Sequence, residues 1–216
     1  MENHTPIQGV YLVGGLRFHR DFTTFLNAIE QAFIGGIRLF QLRVKDELSD
    51  QEHLELAKKV RMLTLTYNVT YLINDRPDIA VLCDADGVHV GPDDMPVEEV
   101  RKIIGDKIVG RSSHSLQQAE SALKEPISYL SVGPVFETDC KKVPDDTVGH
   151  ELVSEVLMKS HIPIVAIGGI TKDNMKNVCS TGVSCIGVIR DIMAAPDLKE
   201  ASQSFIQAFR EREVKK

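Results

Sequence analysis

No apolar run in this sequence approaches the ~20 residues that a membrane-spanning helix requires, so no spanning segment is expected. Basic residues are also in short supply: 25 Lys and Arg stand against 31 Asp and Glu, a net charge of −6. Recognition of a nucleic-acid backbone rests on a surplus of cations, so that class of partner is excluded. A small anionic ligand needs only a few local cations and stays open. Tryptophan is absent, and the four cysteines (Cys83, Cys140, Cys179 and Cys185) lie far apart with no C-x-x-C pair. With no cationic-then-apolar leader at the start of the chain, reduced thiols in the cytoplasm are the expectation. Interdomain linkers and low-complexity segments are missing too.

What the chain does have is alternation. Short β-branched or apolar runs recur at Val10–Val13, Ile37–Leu42, Thr70–Ile73, Gly87–Val90, Ile108–Gly110, Tyr129–Val132, Ile164–Ile167 and Cys185–Val188, and they read as eight strands. Between them, Phe22–Phe33, Asp50–Thr66, Val97–Ile104, Leu116–Leu123, Leu152–Lys159, Lys172–Ser180 and Lys199–Arg212 carry apolar residues at three- and four-residue spacing, the mark of helices with one buried face. Caps are supplied by Ser49 with Glu52, by Ser115, and by Thr171 followed by Asp and Asn; Pro77 opens a short helix. Such a chain is either an open doubly wound sheet or a closed barrel. Eight strands with no G-x-G-x-x-G after the first favour a TIM (β/α)8 barrel, one domain over residues 1–216. The ends, Met1–Pro6 and Arg212–Lys216, are expected to fray.

Nearly all the polar residues of interest follow a strand, at the end where barrel enzymes build their sites. After strand 2, Gln41, Arg43 and Lys45 alternate and so share one direction; a buried parallel strand normally reads as continuous apolar. Asn74-Asp75 after strand 3 and Asp94 after strand 4 bring hard oxygen donors together, which suits Mg2+ beside a substrate phosphate. Asp94 also precedes a helix and is placed to cap it. His89, inside an apolar strand, reads on its own as a satisfied core histidine. Ser112-Ser113-His114 after strand 5 offers hydrogen bonds to a phosphate. Gly133 to Gly149 after strand 6 is a long polar loop with the character of a lid, and Lys141 and Lys142 in it stand as anion ligands over the mouth. Gly168-Gly169 after strand 7 precede a helix expected from near Thr171, where N–H groups and the helix dipole can meet an anion. Arg190 follows strand 8 and is expected to point into the mouth beside those glycines.

Six segments in order, QLRVKD (41–46), INDRPD (73–78), DGVHVGPDD (86–94), VGRSSHS (109–115), VGPVFETDCKK (132–142) and AIGGI (166–170), resemble the thiamine phosphate synthase/TenI family, and the resemblance runs from about Gly9 to Phe209. It implies a Mg2+-dependent transferase that joins hydroxymethylpyrimidine diphosphate to thiazole phosphate and releases pyrophosphate. Carried over by motif, Gln41, Arg43, Lys45, Asn74, Ser112 and Lys141 would handle the pyrimidine and diphosphate, and Asp75 and Asp94 would hold Mg2+. Thr138 and Gly169 would hold the thiazole phosphate; His89, Gly168 and Arg190 complete the expected substrate-binding set. Three residues depart from the pattern: Cys140 stands for a second Thr, Pro92 for a Gln, and Arg190 lies near a phosphate-binding Ser. Two other readings therefore stay open: a TenI-type thiazole tautomerase, although its characteristic His is Pro134 here, and a non-catalytic barrel that binds such phosphates. The expected partners are small phosphorylated molecules, and a homo-oligomer is compatible with the sequence.

Overall fold

Eight parallel strands pair in sequence order and the last returns to the first, closing a barrel: β1 (Gly9–Gly14), β2 (Leu39–Leu42), β3 (Thr70–Asn74), β4 (Gly87–Val90), β5 (Ile108–Ser113), β6 (Tyr129–Val132), β7 (Ile164–Ile167) and β8 (Cys185–Val188). This computed structural model describes residues 7–45, 48–138 and 146–211. Around the strands run α1 (Phe22–Ile34), α2 (Asp50–Thr66), α3 (Pro77–Leu82), α4 (Val97–Ile104), α5 (Leu116–Ala122), α6 (Gly149–Lys159), α7 (Met175–Cys179), α8 (Arg190–Met193) and α9 (Leu198–Glu211). The expected TIM barrel is therefore present. The two chain ends, and residues 139–145 of the expected lid with Cys140 and Lys141, lie outside the described residues.

Alternation along each strand divides the core in two. Leu12, Phe40, Ile73, Val88 and Val109 face outward and pack beneath the helices with Phe33, Leu56 and Phe205, whereas Tyr11, Val13, Leu39, Leu72, Ile108, Tyr129, Val165 and Cys185 fill the barrel itself. Burial on both faces is why these strands read as unbroken apolar runs.

Most helix starts follow the expected chemistry. Ser49 and Glu52 form a reciprocal capping box, with Ser49 N donating to Glu52 Oε2 at 2.9 Å and Glu52 N to Ser49 Oγ at 3.3 Å. Ser115 Oγ accepts from Gln118 N at 3.2 Å. Helix α7 is a correction. Its regular turns begin at Met175, not near Thr171, because Thr171 N donates to Asn174 Oδ1 at 2.8 Å while Asn174 N returns to Thr171 Oγ1 at 3.3 Å, holding those residues in a turn.

At the N-terminal ends of the strands, charges are paired. The Arg61 guanidinium grips Asp86 with two bonds of 3.0 and 3.1 Å, and Asp86 Oδ2 also accepts from Tyr71 N at 2.7 Å, so one carboxylate ties α2 to the entries of β3 and β4. Lys107 meets Asp84 at 3.0 Å and the Ala85 carbonyl at 2.8 Å beside it. Asp86→Ala leaves a largely buried guanidinium with only the longer contact to Asp84, 3.8 Å away. Urea unfolding should show a loss of about 2 kcal/mol, with an unchanged slope, and any activity of the folded protein should be kept.

Candidate active site

At the other end of the barrel, four of the expected residues fall on the inward register. Gln41, Asn74 and His89 are 3%, 9% and 8% exposed, and Ser112 is half-buried. Three of them, Gln41, His89 and Ser112, belong to one network. Gln41 Nε2 donates to the Tyr11 hydroxyl at 2.6 Å, Tyr11 and Tyr129 share a hydroxyl bond of 2.9 Å, Tyr129 meets His89 Nδ1 at 2.8 Å, and His89 Nε2 meets Ser112 Oγ at 2.8 Å. One chain of hydrogen bonds thus crosses the barrel from β2 to β5. Burial raises the pKa of both phenols above the ordinary tyrosine value, so each stays protonated.

Tyr11 and Tyr129 were not foreseen. An aromatic in a strand reads as core packing, and the informative signal lies on a neighbouring strand. Gly110 pairs with Tyr129, and a Cβ at Gly110 would stand 2.1 Å from the Tyr129 ring. That glycine is the space the ring occupies.

The two expected metal ligands face each other. Asp75 follows β3 with a left-handed φ of 62°, and its N–H donates to the His89 carbonyl at 2.8 Å. A non-glycine residue held there by its neighbours is a mark of a constrained site. Asp94 does not cap α4, whose first turn follows Pro96 without a side-chain cap. Instead its Oδ2 turns back to accept from Gly91 N at 2.6 Å. The two carboxyl groups lie near enough to influence one another, and the Lys45 ammonium sits on Asp75 Oδ2. Burial, then the neighbouring Asp94, hold Asp75 above the usual carboxylate range. Burial pushes Asp94 the same way, but Asp75, the bond from Gly91 N and the charge of Lys45 outweigh it and leave Asp94 below.

Among the described residues no group of three or more His, Cys, Asp or Glu is placed to hold a metal. A pair of oxygen donors is nonetheless the set that suits Mg2+, which usually keeps part of its water shell and takes substrate oxygens. Arg111 braces the loop that carries Asp94: its Nη1 donates to the Gly91 carbonyl at 2.5 Å and its Nη2 to that of Pro92 at 3.5 Å.

The remaining expected residues share this end of the barrel in different ways. Arg43 is half-buried just beyond β2, and its N–H donates to the Gly14 carbonyl at 2.8 Å. Thr138 is the described residue of the strand-6 loop that immediately precedes residues 139–145. Gly168 and Gly169 do not head a helix, as expected from the sequence; they lie five or more residues before α7 and pack against the strand-6 loop. A Cβ at Gly168 would stand 2.5 Å from Pro134, and one at Gly169 would stand 2.4 Å from the Glu137 carbonyl oxygen. Their φ values, 101° and 63°, are left-handed as well. After β8 the residue packed against the barrel interior is Ile189; Arg190 comes next, exposed, as the first residue of α8.

The sequence profile of the family described as thiamine monophosphate synthase matches residues 10–192. The chain belongs to that family. It is 41% identical to the thiamine-phosphate synthase of Shouchella clausii over 205 residues, covering 94% of this chain and 96% of the relative. It is 44% identical to that of Clostridium novyi over 177 residues, 82% and 86% of the two chains. In structure it resembles the thiamine phosphate pyrophosphorylase of Pyrococcus furiosus, with a TM-score of 0.86 and 35% identity over 95% and 96% of the two chains. No helix among the described residues is long and apolar enough to cross a membrane.

Arg111→Met keeps the bulk beside the Asp94 loop but removes its charge-assisted donors. Amide exchange at Gly91 should then accelerate by about tenfold or more, the scale of one hydrogen bond from a charged group, while exchange in β1 and β8 stays as it was. Unchanged Gly91 exchange would show that the loop holds itself.

Proposed function

We propose that this member of the thiamine monophosphate synthase family is itself a synthase that couples hydroxymethylpyrimidine diphosphate to thiazole phosphate and expels pyrophosphate. The observation that carries the reading is the pair Asp75 and Asp94, facing each other beside Lys45 at the mouth of the barrel. Two carboxylates in contact cannot both keep their charge unless a proton or a cation lies between them. On this reading Asp75 and Asp94 hold Mg2+. A Mg2+ ion held there would supply positive charge to offset that of a departing pyrophosphate.

The chain's own residues do the rest. Arg43 and Lys45 attract the diphosphate and offset charge gathering on pyrophosphate. Ser112 donates a hydrogen bond to it, while Gln41, Asn74 and His89 orient the pyrimidine. Thr138, the glycine pair and Arg190 bound the region for the thiazole phosphate. The thiazole nitrogen brings its own lone pair, so no strong protein base is required. The tautomerase reading, by contrast, needs an acid/base side chain where Pro134 is packed against Gly168.

Purified protein given both substrates and Mg2+ should release equal amounts of pyrophosphate and thiamine phosphate; failure to form thiamine phosphate would overturn the proposal. Asp75→Asn and Asp94→Asn should each weaken diphosphate binding far more with Mg2+ present than with EDTA. An equal loss in both conditions would remove them from the metal site. Arg43→Ala should raise the barrier of the transfer by roughly 2–4 kcal/mol with little change in melting temperature, and a large stability loss at unchanged turnover would make it structural.

A further inference from the structure

The hydrogen-bond chain inside the barrel has a direction. Gln41 Nε2 is a donor, so the Tyr11 oxygen accepts from it at 2.6 Å. Each phenol owns one proton. Were Tyr129 to donate to Tyr11, the Tyr11 proton would be buried, at 1% exposure, with no other acceptor among the described residues. Tyr11 therefore donates to Tyr129. The Tyr129 proton is then committed to His89 Nδ1, 2.8 Å away, and that nitrogen must carry a lone pair. A neutral imidazole with Nδ1 bare is protonated at Nε2, which makes Ser112 Oγ the acceptor at 2.8 Å. The serine's own proton is left pointing away from the histidine.

From this we infer that Tyr11 and Tyr129 are positioning residues: they fix His89 as its Nε2–H tautomer and so present Ser112 to the mouth as a hydrogen-bond donor. The inference about the substrate rests on the proposed function; the tautomer does not. A donor is what an anionic oxygen of a diphosphate needs, whereas the reversed chain would offer the serine's lone pairs and repel it. The stacked rings of His89 and Tyr129, with centroids 5.5 Å apart, and the edge contact between Tyr11 and Tyr129 at 6.0 Å keep the three side chains in place.

The test is nitrogen NMR of protein labelled in its seven histidines, with the His89 signals assigned through His89→Gln. In the wild-type chain without substrate, His89 should show a proton on Nε2 and none on Nδ1. A proton on Nδ1, alone or together with Nε2, overturns the inference. In Tyr129→Phe the bias should disappear, giving both tautomers, and KM for the pyrimidine diphosphate should rise about tenfold with a smaller change in kcat, the scale of one hydrogen bond to a charged group. If Tyr129→Phe retains the wild-type tautomer, the tyrosines do not set it. Should Tyr129→Phe fail to fold, the wild-type spectrum still decides, and Tyr11→Phe provides the second variant: it breaks the chain one residue earlier and should weaken the bias. A wild-type protein with the expected tautomer and no turnover would sink the synthase reading alone; turnover with the opposite tautomer would sink this inference alone.

Discussion

Closing a parallel sheet on itself fixes the direction of every second side chain, and at positions 11, 41, 89 and 129 that direction is inward. The polar atoms carried there leave bulk water, so they must satisfy one another or cost free energy. They do so in one continuous chain from Gln41 to Ser112. Everything at the mouth is built on that floor. Val13, Leu72 and Val165 pack the same interior, and Gly110 opposite Tyr129 gives the ring its room. A larger residue at 110 would displace the ring, and with it the partner that orients His89.

The two ends of the barrel treat charge in opposite ways. At the strand entries Asp86 is met by Arg61 and Asp84 by Lys107, and the first of these contacts joins helix to strand. At the strand exits two neighbouring carboxyl groups, one of them on a left-handed backbone, have the single ammonium of Lys45 on Asp75. The first arrangement stabilises; the second stores repulsion that a cation or proton must relieve. Arg111 lies outside the mouth yet holds the loop from which Asp94 reaches back.

The barrel was legible because the physical signals were local. Buried parallel strands are apolar on both faces, and β4, β6, β7 and β8 begin and end where their apolar runs do. Strand β2 starts two residues late because Arg38 donates to the Phe33 and Ile37 carbonyls at 3.0 and 2.8 Å, keeping the preceding turn intact. Strand β5 runs on through Arg111 and two serines because Arg111, Ser112 and Ser113 pair with Leu130, Ser131 and Val132, a ladder that depends on backbone and not on side-chain type. What escaped the sequence needed three dimensions. Tyr11 and Tyr129 lie 118 residues apart and meet only when β1 and β6 share one interior. The choice between cap and facing carboxylate for Asp94 was settled by its turn back to Gly91, which no helical periodicity records.

A chain of net charge −6 that takes two anionic substrates looks contradictory until distance is considered. Beyond about 8 Å salt screens exposed charges, so the acidic surface has little say at the mouth. There Arg43 and Lys45 are cationic, but Asp75 and Asp94 alone would repel a diphosphate. Lys45 covers part of that negative charge; the remainder makes anion binding depend on a positive partner arriving with it. On the proposed reading the acidic pair would act as a condition on the anion site, favouring diphosphate that arrives with its metal over the bare anion. The same pair would be a liability in a barrel that only had to hold a phosphate. Its presence beside Lys45, with Asp75 on a left-handed backbone, is a physical reason to prefer a transferase that releases pyrophosphate over a passive phosphate-binding barrel.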